Sequence, residues 1–299
     1  MIPDLNALAV FALVAEERNF RAAADRLGVT RSAVSQTVRR LEEMLGVALV
    51  RRTTRSVGLT EAGERLVASI APAIAEMRSA VEFVGSLEGR PRGQLRLAVT
   101  SIAERFLAGP FLGGFADAYP EIQLDVTVTD EEFDIVAEGY DAGVRLGEVI
   151  EQDMVAVPVS GEQRQTAVCA PSYLARFGAP QHPRELVAHR CIGWRPAPKA
   201  APYRWEFGEN GRDFDIAVAP EITTNDMGLM IKLATAGVGI TFGMEETFAP
   251  LVERGELVPI LIEYFPPFAG FYLYYPSRRN LAPKLRALVE HVQRMKLSR

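Results

Sequence analysis

The sequence predicts an α/β protein with an N-terminal, helix-rich winged helix-turn-helix module and a body of two doubly wound α/β subdomains. Three observations carry this prediction. Two short apolar patterns at helical spacing, rich in arginine, are broken by Gly28-Val29-Thr30; a heptad seam runs on after Thr60; and strand and helix patterns alternate from Gln94 to the C-terminus. At 299 residues and 48% hydrophobic, the chain is long enough for two or three domains with full cores.

The first segment, "LNALAVFALVAEERNF", is apolar at Leu5, Leu8, Phe11, Ala12 and Ala15, the spacing of a helix with one buried face. "FRAAADRL" follows as a short second helix, stopped by Gly28, which takes positive φ without a Cβ penalty. Thr30 offers its hydroxyl as N-cap of a third helix. There Val34, Val38, Leu41 and Leu45 are spaced 4, 3 and 4 apart and share a face expected to be buried. The opposite face carries Ser32, Ser35, Gln36 and Arg39, with Arg31 in the first turn. Hydroxyl, amide and guanidinium groups at the N-terminal end of a helix buried on its other side suit the major groove of DNA. Serine and glutamine hydrogen-bond base edges, and arginine grips guanine or a phosphate. On a lone helix these would be ordinary surface residues. The stretch that follows, "GVALVRRTTRSVGLT", suits a β-wing whose Arg51, Arg52 and Arg55 reach phosphates or a narrow minor groove, and a helix-turn-helix followed by a basic wing is far more specific than either part.

Charge agrees with this division. The net charge of −5 averages two unlike parts: residues 1–59 hold nine arginines, no lysine and six acids, giving +3, which leaves 24 bases against 32 acids, −8, for the remainder. A basic module fused to an acidic body is expected of a nucleic-acid binder with a second task.

From Thr60, apolar residues recur at Leu66, Ile70, Ala73, Met77, Ala80, Val84 and Leu87 in alternating steps of 4 and 3, a coiled-coil seam. Thr60 caps this helix, Glu61 and Glu64 suit its positive end, and Pro72 should bend it locally. "EGRPRGQ" has the composition of a hinge. Beyond it, "QLRLAVT", "IQLDVTV" and "DAGVRL" read as strands of a parallel sheet, and "RQTAVCA", "RCIGW", "FDIAVA" and "VGITFG" as a second set. Ligands in such folds sit at the carboxyl ends of strands. Thr100 and Ser101 open one helix there, and Thr223, Thr224 and Asn225 another. Helix N-termini with added hydroxyl and amide donors suit an anionic ligand, and Arg145, at a strand end, suits a carboxylate.

At this point the residues resemble the LysR-type transcriptional regulators. The match runs through Leu8, Phe11, Val14, Glu16, Phe20, Ala22-Ala23, Leu27, Ser32-Ala33-Val34-Ser35, Leu41-Glu42, Leu45-Gly46, Leu49, Arg52, Leu59-Thr60 and Ala62-Gly63. In the body, "DAGVRLG", "APSYLARFG", "AGVGITFG" and "YPSRRNLAPKLRALVEHV" resemble the family's effector domain, similar in fold to periplasmic binding proteins. The resemblance implies a regulator that binds double-stranded promoter DNA, dimerises through its linker helix, commonly forms tetramers and answers a small-molecule effector. RNA polymerase is a further partner to expect. Ser32, Ser35 and Gln36 would face bases and Arg39 the backbone; the wing would use Arg51, Arg52 and Arg55. The cleft would use Thr100, Ser101, Thr129, Arg145, Thr224, Asn225 and Phe242 for a small organic acid or aromatic. Arg31 stands where the family often has glutamine, and Val50 where phenylalanine is common. The chain divides into a DNA-binding domain (1–59), a dimerisation helix and hinge (60–93), and two effector subdomains (94–160 with 263–299, and 161–262).

Other functions fit less well. Gly237, Gly239 and Gly243 follow a helix and precede a strand, the reverse of a dinucleotide fingerprint, and no histidine pairs visibly with a nucleophile, so neither catalysis nor a cofactor is expected. Two cysteines and three histidines offer little for a metal site. A solute-binding protein of transport would carry an export signal, which the N-terminus lacks, so a cytoplasmic protein without membrane contact is expected. Cys169 and Cys191 leave a cysteine-based oxidant-sensing regulator as the alternative.

Overall fold

The computed structural model describes all residues except 1–3, 53–56, 86–89, 108, 110, 132, 151–152, 278–280 and 298–299. The N-terminal module comprises α1 (Leu5–Glu17), α2 (Phe20–Leu27), α3 (Arg31–Leu45), the strands β1 (Val50–Arg52) and β2 (Val57–Leu59), and α4 (Glu61–Gly85). Each helix starts where a short polar side chain satisfies free amides: Asp4, Asn19 and Thr30 accept from the first turns of α1, α2 and α3. Gly28 and Gly46 end α2 and α3 in the left-handed conformation. Phe11 and Val14 of α1 pack with Val34, Val38 and Leu41 of α3, all buried. Leu45 departs from expectation. It is 39% exposed, in the last position of α3.

β1 and β2 pair antiparallel as the wing. Thr60 then does two jobs, donating to the Ala48 carbonyl and accepting from the Gly63 amide at the start of α4. Helix α4 is continuous across Pro72. Its Leu66 and Ile70 pack on the N-terminal core, while Leu5, Met77 and Val81 stay exposed along an apolar groove between α1 and α4. Leu87 of the expected seam lies outside the described residues.

The first lobe contains β3 (Gly93–Val99), α5 (Ser101–Leu107), α6 (Leu112–Ala118), β4 (Ile122–Val128), β5 (Ala142–Leu146) and β6 (Met154–Pro158). The second contains β7 (Gln165–Cys169), α7 (Pro171–Phe177), β8 (Ile192–Trp194), β9 (Trp205–Glu209), β10 (Arg212–Ile216), β11 (Ile222–Thr224), α8 (Met227–Thr235), β12 (Thr241–Met244), α9 (Glu245–Glu253) and β13 (Val258–Ile260). The chain then returns to the first lobe as β14 (Phe271–Pro276) and α10 (Pro283–Leu297).

The first-lobe sheet has the order β4-β3-β5-β14-β6. Parallel pairing holds for β3 with β4 and β5; β14, arriving from the other lobe, runs antiparallel to β5 and β6. The sheet is therefore mixed, where the sequence pattern suggested a parallel one. In the second lobe, β12-β7-β13 is antiparallel and β11-β8 parallel, and an isolated parallel bridge, Cys191 to Ile240, links the two. β9 and β10 form a separate hairpin whose Trp205 and Phe207 fill the lobe's core. Among the described residues, no helix is long and apolar enough to cross a membrane.

One glycine ties wing to linker. A Cβ at Gly63 would run into the Leu49 carbonyl oxygen, which already accepts from the Thr60 amide. Gly63→Ala should therefore cost roughly 1–3 kcal/mol in urea-induced unfolding, since backbone must shift to admit it; an unchanged midpoint would contradict this packing.

Candidate nucleic-acid interface and ligand cleft

Burial of Val34, Val38 and Leu41 turns the other side of α3 outward, and Arg31, Ser32, Gln36 and Arg39 are all exposed there. Ser32 Oγ lies 3.0 Å from Thr30 Oγ1, so it shares in the cap as well as facing outward. Ser35 is half-buried, at the edge of the face. In the wing, the Arg51 Nε donates to the Leu59 carbonyl at 2.9 Å, which fastens the guanidinium across the hairpin. Arg52 lies opposite Val57 in β1. Arg55 lies outside the described residues.

The second site is the cleft between the lobes, a cavity of about 870 Å³. Strand ends supply its chemistry, as the topology requires. Thr100 follows β3, Arg145 and Leu146 close β5, Trp194 closes β8, and Phe242 lies in β12. Tyr203 stacks on Phe242 with ring centres 5.6 Å apart, and Trp205 backs Phe242 at 4.7 Å, so one wall is an aromatic stack. Arg145 lies over the Tyr274 ring at 5.0 Å, which holds its guanidinium at the cleft. Two polar atoms of this cavity's lining residues, Thr100 Oγ1 and Trp194 Nε1, are buried with no hydrogen-bond partner among the described residues. Such atoms carry a desolvation cost that a bound group can relieve.

Ser101, Thr129 and Asn225 do not line this cavity but an adjoining one of about 320 Å³, shared with Asp130 and Asp226. The expectation that both helix N-termini lie open for an anion needs correction. Asp130 Oδ1 accepts from the Ser101 amide at 2.8 Å, and Asp226 accepts from the Leu229 amide at the start of α8. Both positive helix ends are thus already met by carboxylates. Thr224 lines neither cavity: its Oγ1 accepts from the Asp226 amide at 3.1 Å, shaping the turn into α8. Thr129 Oγ1 accepts from the Glu131 amide at 3.3 Å. The positive charge facing the large cavity comes from Arg145 and, at its rim, the exposed Lys199.

Trp194, Tyr203 and Met227 were not singled out by sequence. Trp194 was findable as an aromatic closing the strand "RCIGW"; Tyr203 reaches the cleft through a proline-rich connection whose path no periodicity reveals.

Comparison with known proteins now adds to this geometry. Residues 5–64 match the family model described as "Bacterial regulatory helix-turn-helix protein, lysR family", and residues 88–296 match "LysR substrate binding domain". The chain belongs to the LysR family of bacterial transcriptional regulators. YcaN of Escherichia coli, an uncharacterised HTH-type transcriptional regulator, is 34% identical over 290 residues, 97% of this chain and 95% of that one. The HTH-type transcriptional regulator PgrR of the same organism is 32% identical over 286 residues, 96% of each. Among solved structures, full-length AphB, the Vibrio cholerae virulence activator, aligns over 97% of this chain and 98% of its own with a TM-score of 0.64 at 22% identity, a likeness of fold. As a LysR-type regulator the chain binds DNA through its helix-turn-helix and a small molecule in its substrate-binding domain, and it is not an enzyme.

The two cysteines of the LysR body are fully enclosed, at 0% and 1% exposure. Burial pushes the thiols of Cys169 and Cys191 from 9.0 up to about 12, with the Glu221 carboxylate adding to the effect on Cys191. A raised thiol pKa keeps the unreactive protonated form, which argues against oxidant sensing here. A thiol-specific reagent at pH 8 should label neither cysteine in the native protein and both after denaturation; rapid stoichiometric labelling of the native state would reverse this reading.

Proposed function

We propose that this LysR-type regulator reads specific promoter sequences as a homodimer and is controlled by a small organic acid or aromatic compound held between its lobes. One observation supports the DNA reading above the rest: the face of α3 opposite its buried stripe offers Arg31, Ser32, Gln36 and Arg39 together. Ser35 borders that face. In this reading Ser32, Ser35 and Gln36 meet base edges, while Arg39 and the wing arginines Arg51, Arg52 and Arg55 meet the backbone. Two recognition helices on one DNA need two chains. The apolar groove of Leu5, Leu8, Ile70, Met77 and Val81 along α1 and α4 suits a second copy. The protein would act in the bacterial cytoplasm, where the chromosome is.

The effector reading rests on the large cavity. Its walls are chiefly apolar and aromatic, the Arg145 guanidinium is held there over Tyr274, and two buried polar atoms, Thr100 Oγ1 and Trp194 Nε1, have no hydrogen-bond partner among the described residues. A ring carrying a single carboxylate meets all three features. Ser101, Thr129 and Asn225 would serve a larger ligand that extends into the adjoining cavity.

Two experiments test these readings. Gln36→Ala should cost about 1–3 kcal/mol at particular base pairs and relax preference there, whereas Arg39→Ala should weaken all sequences alike and lower the salt slope by about 1. Uniform loss from both variants would remove Gln36 from base reading. Calorimetric titration with aromatic and aliphatic carboxylates should find a binder that Arg145→Ala weakens at least about tenfold and Trp194→Phe about fivefold. A silent panel, or binding indifferent to both substitutions, would overturn the cleft assignment.

A further inference from the structure

Glu16 lies in the second-last position of α1, inside the DNA-binding module, yet it is bonded from two domains. Its Oε1 accepts from Arg26 of α2 at 2.8 Å and from Arg96 of β3, in the first lobe, also at 2.8 Å. The side chains of Glu16 and Arg96 are 15% and 25% exposed, so this pair is better shielded than an ordinary surface ion pair.

Arg96 is held firmly from its own side. Its guanidinium donates to the carbonyls of Glu138 and Gly139, lies over the Tyr140 ring at 4.9 Å and sits 3.5 Å from Asp125, while its backbone amide donates to Asp141 Oδ2. These contacts all belong to the first lobe, so the guanidinium is a fixed point to which α1 is fastened. Side chains at alternate positions share a strand face, and Arg96 and Ala98 of β3 therefore point the same way. Ala98 is buried with Ile135 and Tyr274, and Tyr140 packs on that cluster. Tyr274 in turn carries Arg145. A contiguous set of packed groups thus runs from Glu16 through Arg96, Tyr140 and Tyr274 to Arg145 of the cleft, by a route that avoids α4.

We propose that Arg96 is a positioning residue for DNA reading: through Glu16 it fixes the orientation of the helix-turn-helix relative to the effector lobe, and the Ala98–Tyr274 cluster exposes that orientation to the state of the cleft. The proposal rests on the promoter-reading function proposed above. In an assembly the angle it sets determines how far apart two recognition helices stand, so its effect falls on half-site spacing rather than on base choice.

The test uses the full chain with Arg96→Gln, Arg96→Lys and Glu16→Gln. Without DNA, hydrogen exchange should quicken about fivefold at the amides of residues 14–18 in R96Q and E16Q and much less in R96K, which keeps the charge. With duplexes selected from random sequence, R96Q should hold a single half-site as wild type does, lose about fivefold on paired half-sites and accept a wider range of spacings. Unchanged exchange in α1, or equal loss on single and paired sites, overturns the proposal. Should the wild-type chain select no sequence, promoter reading fails and the proposal with it; selection by wild type with spacing untouched in R96Q sinks the positioning role alone.

Discussion

The contact of Phe11 and Val14 with Val34, Val38 and Leu41 is what the functional surfaces of this LysR-type regulator depend on. A helix can offer one face to DNA only if the other is held by a core, and these side chains are the core that holds α3. The same packing sets the direction of α1, which brings Glu16 to Arg96 and Leu5 to the groove beside α4. The exposed face of α3, the apolar groove beside α4 and the link to the body thus share one small hydrophobic cluster. Large-to-small changes in it would disturb all three at once.

In the body, the equivalent constraint is strand direction. β3 and β5 run parallel, so Thr100 and Arg145 emerge at one edge of the first lobe, and β8 brings Trp194 to the facing edge of the second. Helix N-termini stand at the same edges. Their positive ends are already met by Asp130 and Asp226, while the Arg145 guanidinium is held over Tyr274. The cleft is consequently a chiefly apolar and aromatic slot whose lining also carries Asp130, Glu131, Arg145 and Lys199.

What was legible in the sequence followed from range. The three N-terminal helices, their caps at Thr30 and Gly28, and the long helix from Glu61 are local patterns, and each stands within a residue or two of its expected place. Thr100 and Arg145 were legible because strand ends are local too, whereas Phe242, inside β12, came only from the resemblance to the family. Tyr203 was not, since a proline-rich connection carries it to the cleft. Nor was the use of Asp130 and Asp226, because a carboxylate that caps a helix and one that faces a ligand look alike in sequence. The return of residues 263–299 to the first subdomain was expected, but the antiparallel direction of β14 was not, because alternation of strand and helix does not encode it.

The most direct test of the account is capture of genomic DNA by the purified protein at physiological salt, scored for sequence enrichment. A helix-turn-helix that reads bases through α3 predicts a small set of strongly enriched sites built as paired, inverted half-sites, retained as salt is raised. Diffuse capture that vanishes with salt, with no shared sequence among the fragments, would contradict it.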